Sequence, residues 1–351
     1  MKRVLYLDIT KGLAIFLVVW GHIIGSREDS SFSLMSYNII YSFHMPIFAI
    51  ISGLFFNPET NWKIFVQKKT ILLVLPLAFW VFIFEIIGGL FRSTIIYFDS
   101  GEPIHLFAIA RNFFYGICCW HLWFLKALFL CFCYAYISAY LCRSKMLLAS
   151  VSSVVLLYTL SLCGVIPNKS PFFIGFIFLY PFFWIGYYMN RYKEKLQSNA
   201  LLIIAIVAYI LLFLFWEGDK DTFYGMNTNY FATDGIVGNA LLLKITLRFL
   251  IGVIGSFVVI EILRRLICNE KIAQNIIFIQ LSVLGKHTLA IYILHILVVF
   301  HTPFCEYLKA SGMLNAVSCI LISLILTYVC WYLAVIVQKN RLLAMLFFGK
   351  R

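Results

Sequence analysis

Long apolar segments recur along the chain, separated by short polar ones. A helix needs about 20 mostly apolar residues to cross a bilayer. By this measure, ten windows are predicted as transmembrane helices: residues 5–25, 38–56, 70–91, 121–142, 146–166, 172–190, 200–216, 240–263, 276–300 and 313–337. The pattern therefore predicts an all-α, polytopic membrane protein with about ten transmembrane helices.

The charged residues between these windows are distributed unevenly. Lys and Arg concentrate in alternate loops, as at Lys63, Arg191 and Arg264, whereas most acidic residues lie in the opposite set, as at Asp99 and Asp219. Membrane proteins keep Lys and Arg on the cytoplasmic side. The bias predicts that both termini are cytoplasmic and that the chain is a multi-pass protein of the inner (cytoplasmic) membrane.

Composition favours the same class of protein. Of the 351 residues, 63% are hydrophobic and only 12% are charged, whereas soluble domains have about 25% charged residues. The net charge of +13 raises nucleic acid as a partner, but the basic residues form short groups between apolar windows. We therefore expect the lipid bilayer as a partner, no nucleic acid, and a single membrane-embedded domain over residues 1–351.

The first window carries three ionisable residues, Asp8, Lys11 and His22. Such groups cost roughly 2.5–3.5 kcal/mol each within a span and tend to face a cavity or a partner. On a helix, Lys11 and His22 lie within about 20° of the same face and about 16 Å apart along the axis. An ordinary structural explanation stays open, in which Lys11 pairs with Asp8 and His22 packs at the helix end.

A second histidine, His44, stands near the start of the second window, on the side where the first window ends. We expect it to face His22 across a short loop. Imidazole titrates near neutral pH and is the usual general base for a hydroxyl group. His22 and His44 are therefore the candidate catalytic residues. A metal site is not predicted, because no carboxylate or Cys stands at ligand spacing nearby.

Ordinary structural roles would also explain several other polar and aromatic residues. They could be interfacial aromatics, lysines or arginines that reach the interface, or core histidines. They are Lys68, Lys69, Trp123, Arg248, Tyr292 and His295, with Tyr224 and Tyr230 in the polar segment 217–235. The carboxylates, amides and rings of that segment suit a sugar, and they equally suit a solvated connector.

Four segments together resemble the acyltransferase 3 family, and within it the fucose 4-O-acetylase-like branch. They are LDITKGLAIFLVVWGH at 7–22, YSFHMPIFAIISGLFF at 41–56, HLWFLKALF at 121–129 and LGKHTLAIYILH at 284–295. In the first, Asp8, Lys11 and His22 stand where the family has an acid, a basic residue and its key histidine. The resemblance extends over the whole chain in order.

This resemblance implies an O-acetyltransferase that moves an acetyl group from acetyl-CoA to a hydroxyl of a cell-surface carbohydrate or its lipid-linked precursor. Acetyl-CoA is then a donor substrate, and no permanently bound cofactor is expected. The donor-binding candidates are Lys11, Asp8, Arg248, Lys68 and Lys69. The acceptor-binding candidates are Trp123, Tyr224, Tyr230, Tyr292 and His295.

The chain also departs from the family pattern. The broad family usually has Arg at the position of Lys11, so a bidentate phosphate contact becomes a point charge. An Arg pair often precedes the proline of the third helix, whereas Lys68 and Lys69 stand about a turn further from Pro76. Many relatives carry a soluble esterase-like domain after the last helix, and none is expected here.

Two alternatives from other classes stay open at this point. Buried charges and broken helices also mark the substrate paths of transporters or flippases of glycan precursors. A non-catalytic subunit of a polysaccharide export complex is the other alternative. The acceptor sugar, the acyl chain, an acyl-histidine intermediate and a homo-oligomer are likewise open.

Overall fold

The computed structural model describes residues 4–25, 31–100, 105–119, 122–142, 145–166, 172–217, 239–302, 304–310 and 316–350. Every regular element within these ranges is a helix, which confirms the predicted all-α class.

The first half of the chain forms nine α-helices within the described ranges. They are α1 (Leu5–Gly25), α2 (Ser31–Leu54), α3 (Trp62–Lys69), α4 (Leu75–Val81), α5 (Gly88–Ser100), α6 (Leu106–Cys119), α7 (Trp123–Leu141), α8 (Met146–Leu162) and α9 (Ile174–Arg191). Two π-helical segments, Thr70–Val74 and Phe82–Ile87, join α3, α4 and α5 into one continuous helical stretch.

The second half begins with a 3₁₀ turn, Lys195–Gln197. Its described helices are α10 (Asn199–Phe213), α11 (Asn239–Ile267), α12 (Glu270–Ala273), α13 (Ile276–Gly285), α14 (Thr288–His301), α15 (Phe304–Ala310), α16 (Ala316–Val337) and α17 (Arg341–Phe348).

Each predicted window coincides with helix in the described residues, but not every helix is long enough to cross a bilayer. Six helices pass by length and apolar composition, and a seventh span is added if α13 and α14 count as one bent span. The apolar helices α8 and α10 are shorter. A multi-pass membrane protein is therefore established, whereas ten crossings and the orientation of the termini stay predictions.

Helix α1 lies in the middle of the bundle, against α2, α11, α13, α14 and α16. It meets α13 at backbone distance, because a Cβ atom on Gly12 would collide with the carbonyl of Leu281. A Cβ atom on Gly285 would in turn collide with the carbonyl of Asp8. Small residues permit this close approach, which gives membrane helices much of their packing energy.

The predicted helix over residues 276–300 is wrong as one continuous span. Helix α13 ends at Gly285, α14 begins at Thr288, and the two are bent by 80°. The physical reason is the close packing of Gly285 on Asp8, which brings the break against the start of α1. The chain therefore turns beside Asp8 and continues in a new direction.

Candidate functional site

The predicted catalytic histidines lie at one end of the bundle, which we call the histidine end and define by His22, Tyr41, His44 and His295. His22 is half-buried near the end of α1. The ring of Tyr41, on α2, packs on Gly21, so α2 contacts α1 next to His22. The structure thus brings α1, α2 and α14 together around imidazole groups.

The imidazole of His295 contacts that of His22. Their ring centroids are 5.4 Å apart, with planes tilted by 37°. Phe300, one turn further along α14, places its ring edge-on to His22 at 5.2 Å. The sequence predicted that His44 faces His22, and this stays a prediction. It did not identify His295 as a neighbour of His22.

His44 is linked to the same end through Tyr41. It is 4% exposed, and its ring lies 4.7 Å from that of Tyr41. Its Nδ1 is 2.8 Å from the carbonyl oxygen of Ile40, four residues earlier on α2. Because a carbonyl only accepts, Nδ1 carries the proton and Nε2 carries the lone pair. His44 is therefore held in the tautomer whose Nε2 is the basic nitrogen.

Aromatic rings continue from His295 to the other side of the bundle. Tyr292 lies 5.7 Å from His295 and 5.8 Å from Phe124, the second residue of α7. Phe124 in turn lies 5.9 Å from Phe48, one turn beyond His44 on α2. Phe124 and Phe48 were not singled out from the sequence, because an apolar ring in an apolar helix gives no distinguishing signal.

Trp123 is the predicted acceptor-binding residue beside Phe124. Its ring packs directly on Gly175 of α9, in the space that a Cβ atom there would need. Lys126, one turn later on α7, is only 4% exposed and lies 5.7 Å from the ring of Phe172. The sequence motif contained Lys126, but its burial became visible only in the structure.

At the opposite end of α1, Lys11 and Asp8 form an ion pair with 2.6 Å between Nζ and Oδ1. The Lys11 side chain is 24% exposed and that of Asp8 is 9% exposed. This is the pair that the structural explanation predicted. It also fixes the Lys11 ammonium group beside the break between α13 and α14, since Gly285 packs on Asp8.

A second lysine reaches the region that follows this break. Lys350 Nζ lies 3.4 Å from His287 Nδ1 and donates to the side-chain oxygen of Gln338 at 2.6 Å. Just before it, Gly349 has a φ of 64°, a left-handed conformation that favours glycine. We call this region, with Asp8, Lys11, His287 and Lys350, the Lys11 end. No motif or spacing in the sequence pointed to Lys350.

Lys68 and Lys69 lie on α3. Lys68 is exposed, whereas Lys69 Nζ lies 3.4 Å from the centroid of the Phe132 ring. The chain end approaches the helical turn that follows them, because a Cβ atom on Gly349 would meet the carbonyls of Ile71 and Leu72. The two lysines are thus near the Lys11 end, with Lys69 engaged in a cation–π contact.

Arg248 is a buried cation, 4% exposed. Its neighbour Ile251 packs with Trp216, whose indole nitrogen donates to the carbonyl of Asn38 at 2.9 Å. Asn38 belongs to the part of α2 that leads into the histidine end. Arg248 therefore lies toward that end, and the structure does not place it beside Lys11 as a shared phosphate contact.

Tyr224 and Tyr230, the predicted acceptor contacts of segment 217–235, lie outside the described residues. Within the described ranges, no group of three or more His, Cys, Asp or Glu side chains could hold a metal ion. The titratable groups described above are imidazoles toward one end of α1, with Arg248 on that side, and lysines at the other end.

The chain is similar to known proteins. The acyltransferase domain of the acyltransferase 3 family matches residues 4–335. Nodulation protein NolL of Sinorhizobium fredii is 26% identical over 305 residues, which cover 83% of this chain and 77% of that protein. Nodulation protein NolL of Mesorhizobium japonicum is 27% identical over 233 residues, which cover 63% of this chain and 58% of that protein. No solved structure matches the chain significantly.

An apolar helical bundle with a lysine and a histidine on one central helix, matched by this domain, is a multi-pass membrane acyltransferase. The chain belongs to the acyltransferase 3 family, because the match includes nearly its whole length. Membership confirms the predicted family and the predicted enzyme class, and it decides between an enzyme and a transporter or export subunit.

Proposed function

We propose that the protein transfers an acetyl group from acetyl-CoA to a hydroxyl of a cell-surface carbohydrate or its lipid-linked precursor. The observation that carries the proposal is the layout of α1. One unbroken helix holds Lys11 at one end and the half-buried His22 at the other. Their separation of about 16 Å along the axis is on the order of the length of an extended CoA.

The Lys11 end supplies positive charge for the donor. Ammonium groups bind phosphate oxygens through charge-assisted hydrogen bonds. Lys11 and Lys350 both lie at the break between α13 and α14, and the exposed Lys286 belongs to the break itself. The N-terminus of α14 follows directly and adds the positive end of a helix dipole. Phosphates held here leave the thioester free to extend along α1.

The histidine end supplies the base. In direct transfer, His22 takes the proton of the acceptor hydroxyl while the hydroxyl oxygen attacks the thioester carbon. The carbon–sulfur bond then breaks, and the CoA thiolate leaves and receives the proton from His22. In the covalent route, His22 attacks the thioester first and carries the acetyl group to the hydroxyl. Incubating the protein with acetyl-CoA in the absence of carbohydrate, and then quenching, distinguishes the two routes. Only the covalent route yields an acetylated His22 peptide.

The test of the function is mass spectrometry of surface carbohydrates from cells with and without the gene. O-acetylation adds a defined mass that mild alkali removes, and this mass should disappear in cells that lack the gene. His22→Ala should remove it as well, since a positioned base contributes on the order of 10² to 10⁴ in rate. His105→Ala is the matched control, because His105 is an exposed histidine before α6.

Unchanged acetylation in cells without the gene would contradict the proposed reaction. Unchanged acetylation with His22→Ala alone would instead remove His22 from the mechanism while leaving the enzyme class intact. Both variants are compared at equal amounts of membrane-inserted protein.

We propose that residues of the segment 217–235 contact the acceptor. Aromatic rings stack on the C–H faces of sugars, and the amides and carboxylates of this segment bind hydroxyls. Replacing Tyr224 and Tyr230 with Ala should raise the acceptor KM and leave acetyl-CoA affinity unchanged. Wild-type kinetics for both substrates in the double variant would assign the segment to a connecting role.

A further inference from the structure

The buried imidazole of His295 has a defined tautomer. Its Nδ1 lies 3.0 Å from the carbonyl oxygen of Ile291, four residues earlier on α14. A carbonyl oxygen has no proton to give, so Nδ1 is the donor. A neutral imidazole carries one N–H, so Nε2 is a bare acceptor.

This acceptor is unsatisfied in the described part of the chain. His295 is 0% exposed, and its Nε2 has no hydrogen-bond partner among the described residues. A buried polar atom left without a partner costs about 1–3 kcal/mol. Such an atom in a folded protein calls for an explanation, and a functional role is one of them.

The groups around His295 indicate which donor this is. The ring of Tyr292 is near, but its hydroxyl is hydrogen-bonded with the backbone of Phe124. The ring of His22 is 5.4 Å away, centroid to centroid, a separation at which ring nitrogens that face each other are within hydrogen-bond distance. Phe300, edge-on to His22 at 5.2 Å, limits the other orientations of that ring.

We propose that His295 is a positioning residue for His22, because His295 Nε2 accepts a hydrogen bond from a ring N–H of His22. This hydrogen bond holds the lone pair of the other His22 nitrogen toward the reacting groups. When that nitrogen takes the proton of the acceptor hydroxyl, the His295 lone pair stabilises the imidazolium. A neutral imidazole thus does here what a carboxylate does behind the histidine of a catalytic triad.

The expected effect on acetyl transfer rests on the proposed function, whereas the His22–His295 contact does not depend on it. The proposal also changes the predicted role of His295 from substrate binding to the orientation of the base. Substrate affinity should then be insensitive to His295, whereas the reactivity of His22 should depend on it.

Two substitutions separate the hydrogen bond from packing. His295→Asn keeps a donor near Nδ1 for the Ile291 carbonyl and loses the acceptor at Nε2. His295→Gln places an amide oxygen near the position of Nε2 and keeps that acceptor. Both are polar and smaller than histidine, so a purely structural role would be impaired by both to a similar extent.

The first measurement is the rate at which diethyl pyrocarbonate modifies His22 in the purified full-length protein, read by peptide mass spectrometry. The Asn variant should slow this modification, and the Gln variant should restore it toward the wild-type rate. This readout needs neither acetyl-CoA nor carbohydrate. Equal rates in wild type and both variants would overturn the proposal, and so would equal slowing in both.

The second measurement is alkali-labile acetate on surface carbohydrate per copy of membrane-inserted protein. His295→Asn should lower it about 10- to 100-fold, by analogy with the loss of the hydrogen-bond partner of a metal-ligating histidine. His295→Gln should recover most of it. If wild-type cells carry no such acetate while the modification rates follow the expected order, the proposed reaction fails and the His22–His295 pair stands.

Discussion

Lys11 shows how a single charge is kept in a membrane helix. The side chain of Asp8, one turn earlier, is only 9% exposed and forms a 2.6 Å ion pair with Lys11. A buried carboxylate without a partner is costly, so the pair fixes both side chains. The Lys11 side chain is still 24% exposed, so its ammonium group can take a phosphate oxygen as a second partner.

We expect Lys11→Ala to weaken acetyl-CoA binding, because a hydrogen bond to a charged group is worth about 1.5–3 kcal/mol, or roughly tenfold or more in Kd. Lys11→Arg should bind nearly as well as wild type, since it keeps the charge. Calorimetry with purified protein measures the affinity, and Lys63→Ala, an exposed lysine on α3, is the control. Equal CoA affinity in Lys11→Ala and wild type would refute the donor-site assignment.

At the residue scale, the sequence identified Lys11 and His22 because both lie on one helix, where spacing alone fixes their relative position. It did not identify Lys350 or the partner of His22. Lys350 approaches His287 only through the fold of the chain end, and no local pattern predicts such a contact.

At the element scale, glycine-mediated backbone contact holds the pair of helices that carries both ends of the site. Helices α1 and α13 meet through Gly12 on Leu281 and Gly285 on Asp8. The latter contact also explains why α13 ends where it does and why α14 starts in a new direction. Helix packing therefore positions the break beside Lys11.

Gly12→Ala should destabilise the protein by about 1–3 kcal/mol, because the added methyl group collides with backbone that cannot rotate away. Unfolding in SDS, followed by far-UV circular dichroism, measures the difference. Gly25→Ala is the matched control, since its methyl group would meet only ordinary contacts at 3.7 Å or more. A Gly12→Ala protein as stable as the control would show that α1 and α13 are further apart than described.

At the scale of the whole molecule, the number and direction of the spans stay predictions. The helices of the structure give six or seven spans by length and composition within the described residues, whereas the apolar windows of the sequence predict ten. The shorter helices α8 and α10 account for part of the difference, because each has fewer than 18 residues.

Labelling of native cysteines tests the predicted orientation. Cys163, after α8, and Cys268, after α11, are both exposed free thiols. With ten spans and cytoplasmic termini, a membrane-impermeant maleimide should label Cys163 in intact cells and Cys268 only after lysis. Peptide mass spectrometry of the wild-type protein identifies the labelled residue. Labelling of both thiols in intact cells, or of Cys268 alone, would exclude the ten-span orientation.

The sequence by itself determined the helical membrane class, the family and the line from Lys11 to His22. These depend on apolar length, on motifs and on the phase of one helix, which are all local properties. The tertiary structure decided that His295 contacts His22, where the span over residues 276–300 breaks, and toward which end Arg248 lies. Those depend on the tilt and rotation of separate helices, which side-chain packing and close glycine contacts fix and which periodicity within one helix does not encode.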